Sequence, residues 1–353
     1  MNSKQRILNA INHLQTDRIP MSLSTNQWVR QKLNKNYGFK SHAELLNFFH
    51  SDIVDLRDCC SPSYIGPGKP VQEVGNGVRE NYWGWRTKIM ETPHGDEEQF
   101  CEFILKDSNS IEEMEKHEWP SPDWFDFTDF KEKLKDYSHL AVMASGGSVF
   151  QHPQYLRSMD VFLLDIMLNP DIASYLMDKF TNFYLAYFDK MFSSAKGLID
   201  IFRVADDLAM QNSLLISPET FYEFVAPRLK KMIDLAHSYD IKFMLHSCGN
   251  VTSLIPEFIK IGIYILDHIQ VSASNMDLYA IHQKYGDQIC LHGGVDTQGF
   301  LPNAKPDEVR KKLEEIKHEF ADKTGYILST SHIIEGDIPL ENIYAMYDEA
   351  FSI

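Results

Sequence analysis

Basic side chains are scarce in this sequence: 34 Lys and Arg face 50 Asp and Glu, a formal net charge of −16 over 353 residues. A surface that acidic repels phosphate backbones and anionic headgroups, which argues against nucleic acid or a membrane as partner. Cysteine is sparse as well. The five residues (Cys59, Cys60, Cys101, Cys248, Cys290) are an odd number and include one adjacent pair. Such a set offers no disulfide framework and places the protein in a reducing cytoplasm. No apolar run reaches the ~20 residues of a spanning helix, and residues 1–14 lack the continuous apolar core of a signal peptide. Repeats of solenoid length and low-complexity tracts are missing too. The apolar share of 44% and charged share of 24% are those of a soluble globular protein, large enough for one big α/β domain or two ordinary ones.

What the sequence does contain is a regular alternation. Short apolar runs begin near residues 21, 52, 140, 200, 242, 264, 288 and 326, and each is followed by helical sequence. Alternation of this kind implies parallel strands joined by crossover helices, and eight such units point to a closed (β/α)8 barrel, a TIM barrel, in the α/β class. A helical extension precedes the first strand, with Ile7, Leu8, Ile11 and Leu14 on one face. The exception to the regularity is residues 60–107, where glycine and proline punctuate short strand-like runs such as Tyr82-Trp83-Gly84-Trp85. We read this as a hairpin-bearing insertion after the second strand, in one domain spanning 1–353, and expect it to form a lid or a wall of the site.

Barrel enzymes carry their chemistry at the C-terminal strand ends. Here those ends present Arg57 and Asp58, Ser145, Asp206 and Asp207, His246 and Cys248, Gln270, His292 and Asp296, and His332. In His246-Ser247-Cys248-Gly249 the imidazole and thiol are two residues apart, so a strand would project both to one face, as a zinc ligand pair requires. Two ligands alone do not make a metal site, and a hydrogen-bonded core histidine beside a small apolar cysteine would look the same. His332, at the last strand's end, is equally readable as a third ligand or as a partner for an anionic substrate. Asp206 and Asp207 suit a general base, a residue orienting a zinc ligand, an anchor for a cationic group, or a helix cap. Gln211, close behind them, would line the same wall, with Gln270, Arg57, His292 and Asp296 as further substrate contacts. The glycines in His292-Gly293-Gly294-Val295-Asp296 allow either a tight turn or a close backbone approach.

Several segments together resemble the uroporphyrinogen decarboxylase superfamily over nearly the whole chain. They are Asp17-Arg18-Ile19-Pro20, Asp206-Asp207-Leu208 with Gln211-Asn212, Ser217-Pro218-Glu219, His246-Ser247-Cys248-Gly249, His292-Gly293-Gly294-Val295-Asp296-Thr297-Gln298, and Gly325-Tyr326-Ile327-Leu328 leading to Pro339-Leu340-Glu341-Asn342. The resemblance implies a (β/α)8 barrel and one of two chemistries. The decarboxylase branch carries an Arg-Gln-Ala-Gly-Arg segment near the first strand. The corresponding Ser24-Thr25-Asn26-Gln27-Trp28-Val29-Arg30-Gln31 lacks it, and ten arginines in all match an eight-carboxylate substrate poorly. The cobalamin-dependent methyltransferase branch carries the His-x-Cys-Gly motif, whose His and Cys bind zinc there, with a cysteine after the last strand as third ligand. That position is His332 here. The resemblance therefore implies a zinc-dependent methyltransferase, a corrinoid (cobalamin) carried by a partner protein, and a small methyl donor or acceptor such as a thiol. The alternatives are a metal-independent decarboxylase of a carboxylated substrate and a non-catalytic ligand-binding barrel.

Overall fold

The computed structural model of the chain describes residues 1–352. After β1 (Ile53–Asp55) the chain leaves the barrel for β2 (Ser63–Tyr64), β3 (Val71–Gly75), β4 (Val78–Asn81), β5 (Arg86–Thr92), β6 (Gly95–Glu102) and β7 (Phe125–Asp126). It returns with β8 (Ala141–Ser145), β9 (Ile201–Ala205), β10 (Lys242–His246), β11 (Ile265–Ile269), β12 (Cys290–Val295) and β13 (Tyr326–Thr330). A parallel sheet of seven strands runs β1-β8-β9-β10-β11-β12-β13. From β8 onward, helices connect the successive strands of this sheet.

The expected first strand, near residue 21, is not a regular strand. Residues 20–22 instead lie between the two edges of the sheet. Ser22 N donates to Leu328 O (3.0 Å) and Leu328 N to Pro20 O (2.8 Å) on one side, and Asp52 N donates to Met21 O (2.7 Å) on the other. Pro20 has no N–H to extend the ladder, and the next pairing, Asn26 N to Ile334 O, falls on a loop. The result is an incomplete (β/α)8-like barrel, closed by a short extended segment.

Side-chain alternation sorts the barrel residues into two sets. One set, including Phe202, Val204, Phe243, Leu245, Leu266, Leu291 and Leu328, packs outward into the main core shared with the helices. The inward set begins with an apolar floor of Ile53, Ala141, Ile201, Met244, Ile265, Cys290 and Ile327, plugged from below by Ile7, Ala10 and Ile11 of the helix Ser3–Ile11. Asn2 caps that helix, accepting from Gln5 N at 2.8 Å. The N-terminal extension is therefore the stopper of the barrel.

The insertion is more than a hairpin. Strands β3 to β6 form a four-stranded antiparallel sheet, and β2 pairs with β7. Trp83 anchors it, fully buried and stacked on Phe180 of the helix Pro170–Ser194 with ring centroids 4.3 Å apart. The tip of the β5–β6 hairpin rests on the loop after His332, where Lys32 Nζ bonds both His94 O and Gly336 O at 3.4 Å. Among the described residues no helix is long and apolar enough to cross a membrane.

Candidate metal centre and its cavity

Directly above the floor the bore turns polar. Two residues further along each strand stand Asp55, Met143, Arg203, His246, Asp267, His292 and Ser329, all lining one narrow recess. Period-two alternation points them inward like the floor residues below. Charges this deep must be paired. Arg203 Nε donates to Asp267 Oδ2 at 2.5 Å, His246 Nδ1 lies 2.8 Å from the same oxygen, and His292 Nδ1 lies 2.6 Å from Asp267 Oδ1. Ser22 Oγ, 2.6 Å from His292 Nε2, ends the chain. Burial alone would raise the Asp267 carboxyl, but Arg203, His292 and His246 hold it well below the usual range.

This network sets the tautomer of His246. Arg203 Nη2 also lies 2.7 Å from His246 Nδ1, and one nitrogen cannot accept from a guanidinium while donating to a carboxylate. We assign the proton to Nδ1, because Arg203 already has Asp267 as acceptor, whereas a bare ring lone pair against a carboxylate is repulsive. Burial, followed by the Arg203 charge, lowers the His246 pKa and keeps the ring neutral. Nε2 is then free as a donor atom toward the mouth, the arrangement of a metal-ligating histidine oriented by a carboxylate.

Cys248 does not end the strand as expected, since β10 stops at His246. The loop nevertheless returns its sulfur to 3.7 Å from His246 Nε2. Three contacts shape that loop. Cys248 N donates to Asp207 Oδ1 (2.9 Å), Gly249 N to Gln270 Oε1 (2.7 Å), and Leu208 N to Ser247 Oγ (3.0 Å). Gly249 has φ +84°, and a Cβ there would lie 2.5 Å from Met210 O, so glycine after the cysteine is a steric requirement. Burial, then the neighbouring Asp207, pushes the Cys248 thiol pKa up, so without a cation the sulfur stays protonated.

His332 completes the group. One ligand atom each from His246, Cys248 and His332 lie within 4.8 Å of one another. Two imidazoles and a thiol at that separation, one imidazole tautomer set by a carboxylate, fit a zinc ion with a coordination position left open. A second close group, His246, Asp267 and His268, shares the same ring.

Over this cluster opens a cavity of about 530 Å³, lined among others by Asp207, Gln211, Gln270, Cys248, His268, His332 and Glu335. The other expected site residues lie elsewhere. Asp206 is fully enclosed, accepting from Ser148 Oγ and from the backbone N–H groups of Val149 (3.0 Å), Phe150 (2.9 Å) and Gln151 (2.9 Å) at the start of the helix Gln151–Arg157. It is a helix-end anchor without a face on the cavity. Burial raises its pKa to about 6 even against those four donors. Asp296 likewise accepts from Gln298, Gly299 and Phe300 N and holds a turn. Arg57 and His292 line the recess beneath, and Arg57 Nη2 pairs with Asp55 at 2.7 Å. Gly293 has φ +109°, and its missing Cβ would stand 3.0 Å from the His268 Cβ, while a Cβ on Gly294 would stand 2.8 Å from Leu278 Cδ2, so both glycines serve close packing.

Sequence reasoning passed over Arg203, Asp267, His268, Ser22 and Glu335. Three of them left a signal. A lone arginine inside the apolar strand Ile201–Ala205 demands a buried partner, and Asp267-His268 sits inside an otherwise apolar strand, Ile265–Ile269.

The model of the uroporphyrinogen decarboxylase family matches residues 125–352, well over half the chain. The chain belongs to this family. A methylated-thiol–coenzyme M methyltransferase of Methanosarcina mazei is 29% identical over 177 residues, covering 50% of this chain and 44% of that protein. A methylcobamide:CoM methyltransferase of the same organism is 25% identical over 180 residues, 50% of this chain and 49% of the relative. A uroporphyrinogen decarboxylase matches over 73 residues, 21% of each chain, at 26% identity. This chain thus spans about half the length of the methyltransferases it matches. In fold, a solved methyltransferase from Methanosarcina mazei superposes with a TM-score of 0.67 at 17% identity, covering 99% of this chain and 98% of that one. These likenesses favour the methyltransferase side of the family.

Proposed function

We propose that this family member is a zinc-dependent methyltransferase, moving a methyl group between a corrinoid on a partner protein and a small thiol or methylated compound. The observation that carries the reading is the convergence of His246, Cys248 and His332 at the floor of an open cavity, with Asp267 presenting the first of them. Zinc held by these three would supply a Lewis acid for a sulfur ligand, and the corrinoid would supply or take the methyl group.

The chain's own residues account for the rest. Asp267 and Arg203 hold His246 rigid and in the correct tautomer, and Asp207 fixes the loop that carries Cys248. Gln270 pins the following glycine, while Gln211 and Gln298, bonded to each other at 3.2 Å, form a polar rim. A cavity of about 530 Å³ accommodates a small molecule, so a protein-borne macrocycle would present its methyl group at the mouth. The insertion at 60–107 contributes no side chain to the cavity wall and would act through the loop behind His332. A metal-independent decarboxylase finds little support, since the same wall offers a carboxylated substrate neither lysine nor arginine.

The test is metal content with matched variants. Purified protein is expected to hold equimolar zinc, to lose it in His246→Ala and Cys248→Ser, and to transfer methyl groups from methylcobalamin to a thiol only when loaded. A folded protein that takes up no zinc and reacts unchanged in the presence of chelator would overturn the reading.

A further inference from the structure

Resting on that reading, we infer that the small reactant is a thiol or thioether whose tail is uncharged or cationic, not one ending in a carboxylate or sulfonate. Charge on the cavity wall carries the inference. The wall contains neither lysine nor arginine, while Asp207 and Glu335 are both on it, with the amides of Gln151, Gln211, Gln270 and Gln298. Neither of Asp207's bonded partners, Cys248 N and Gln151 Nε2, is a cation. Glu335 has His332 at 4.0 Å and the charges of Glu97 and Asp337 nearby. Lys32, which reaches the loop after His332 from the helix Gln27–Tyr37, is bonded to the carbonyls of His94 and Gly336. A divalent ion bound to one thiolate adds a single net positive charge, which the two carboxylates outweigh.

The recess below offers an anion no home either. Its guanidiniums are already matched, Arg203 to Asp267 at 2.5 Å and Arg57 to Asp55 at 2.7 Å, and Asp58 is itself paired with Arg30 at 2.8 Å. Its free volume is about 30 Å³, room for one water and not for a sulfonate.

A second, independent observation shows that the cavity is built for a ligand. His268 is 2% exposed and lines both the cavity and the recess, yet its Nε2 is buried without a hydrogen-bond partner. Its ring centroid lies 5.3 Å from that of His332 and 4.6 Å from that of His246. An orphaned buried nitrogen is costly, and the reactant's sulfur, or a hydroxyl on its tail, placed beside the metal ligands would satisfy it. His268 is thus a substrate contact that adds a hydrogen bond to the site.

Three thiols on the same two-carbon stem, differing in the terminal group, test the inference: cysteamine, mercaptoethanol and mercaptoethanesulfonate, each titrated calorimetrically into the zinc-loaded protein. Cysteamine and mercaptoethanol are expected to bind at least ~10-fold more tightly than the sulfonate, because like charges meet in a low-dielectric cavity. Glu335→Gln is expected to narrow that ratio, and His268→Ala to weaken all three thiols alike. Equal or tighter binding of mercaptoethanesulfonate overturns the inference and leaves the methyltransferase reading standing. Failure of all three to bind overturns both.

Discussion

Every residue on the wall of the outer cavity comes from 151–335, whereas the first 139 residues reach the bore only beneath it, through a few side chains such as Ser22, Asp55 and Arg57. The two regions are built differently. From β8 onward, strand and helix alternate, and successive strands deliver Arg203, His246, Asp267 and His292 to one height. Before β8 the chain supplies the floor plug, a three-residue strand, an extended segment that closes the barrel, and an antiparallel sheet standing outside it. The contrast separates two tasks: the regular part carries the proposed metal ligands, and the irregular part closes the barrel and props the loop behind His332.

The largest expected effect lies wholly in the regular part. His246→Ala or Cys248→Ser should abolish zinc retention, and with zinc removed from both proteins Cys248→Ser should leave the unfolding midpoint nearly unchanged, measured by metal analysis beside urea denaturation. A coincident collapse of stability would show that the pair is structural, and the division of tasks would fail.

Next comes a contrast within one dipeptide. Asp206→Ala strands a hydroxyl and three backbone donors and should cost about 3–5 kcal/mol in urea unfolding. Asp207→Ala should cost about 1 kcal/mol yet loosen the Cys248 loop. The pH dependence of Asp206 has a definite sign. Its carboxyl, at about 6 in the fold against an ordinary 3.8, binds its proton more tightly folded than unfolded. The stability tied to it is therefore full below about pH 4 and is lost as pH rises through 6, by about 3 kcal/mol. Urea titrations at pH 5 and pH 7 should show this slope in the native protein and not in Asp206→Asn.

Asp267→Asn sharpens the same comparison at the second layer. Removing the acceptor that orients His246 should weaken zinc affinity ~10–100-fold in a chelator competition, and the loosened Arg203 pair should lower the unfolding midpoint as well. The smallest effect belongs to the irregular part. Gly336→Ala places a Cβ 1.9 Å from His94 O and must lift the hairpin tip. Zinc content should not change, while kcat/KM for the thiol should shift by less than ~10-fold. If zinc were lost instead, the hairpin would have to be counted as part of the metal site.

Legibility in the sequence followed the same division. The expected strands from 140 onward coincide with β8 to β13, and the long helices follow them, because buried parallel strands are short apolar runs set off by amphipathic helices. The strand expected at 21 shrank to a bridge, since one pairing segment containing Pro20 cannot be told by pattern from a strand. Cys290 sits in the barrel floor. Asp206 and Asp207 could not be separated by spacing alone: neighbours in an extended chain face opposite ways, and only one of those ways is the cavity.

The sequence by itself determined the alternation that makes the barrel and the His246, Cys248 and Gly249 spacing that brings sulfur and imidazole together, because both are local and depend on residues a few positions apart. The tertiary structure alone decided that His332 reaches that pair, that Asp267 joins Arg203, His246 and His292, and that His268 is left with an open nitrogen. Those contacts depend on how far neighbouring strands are staggered around the bore. That stagger is set by the packing of the whole barrel, and no short stretch of residues encodes it.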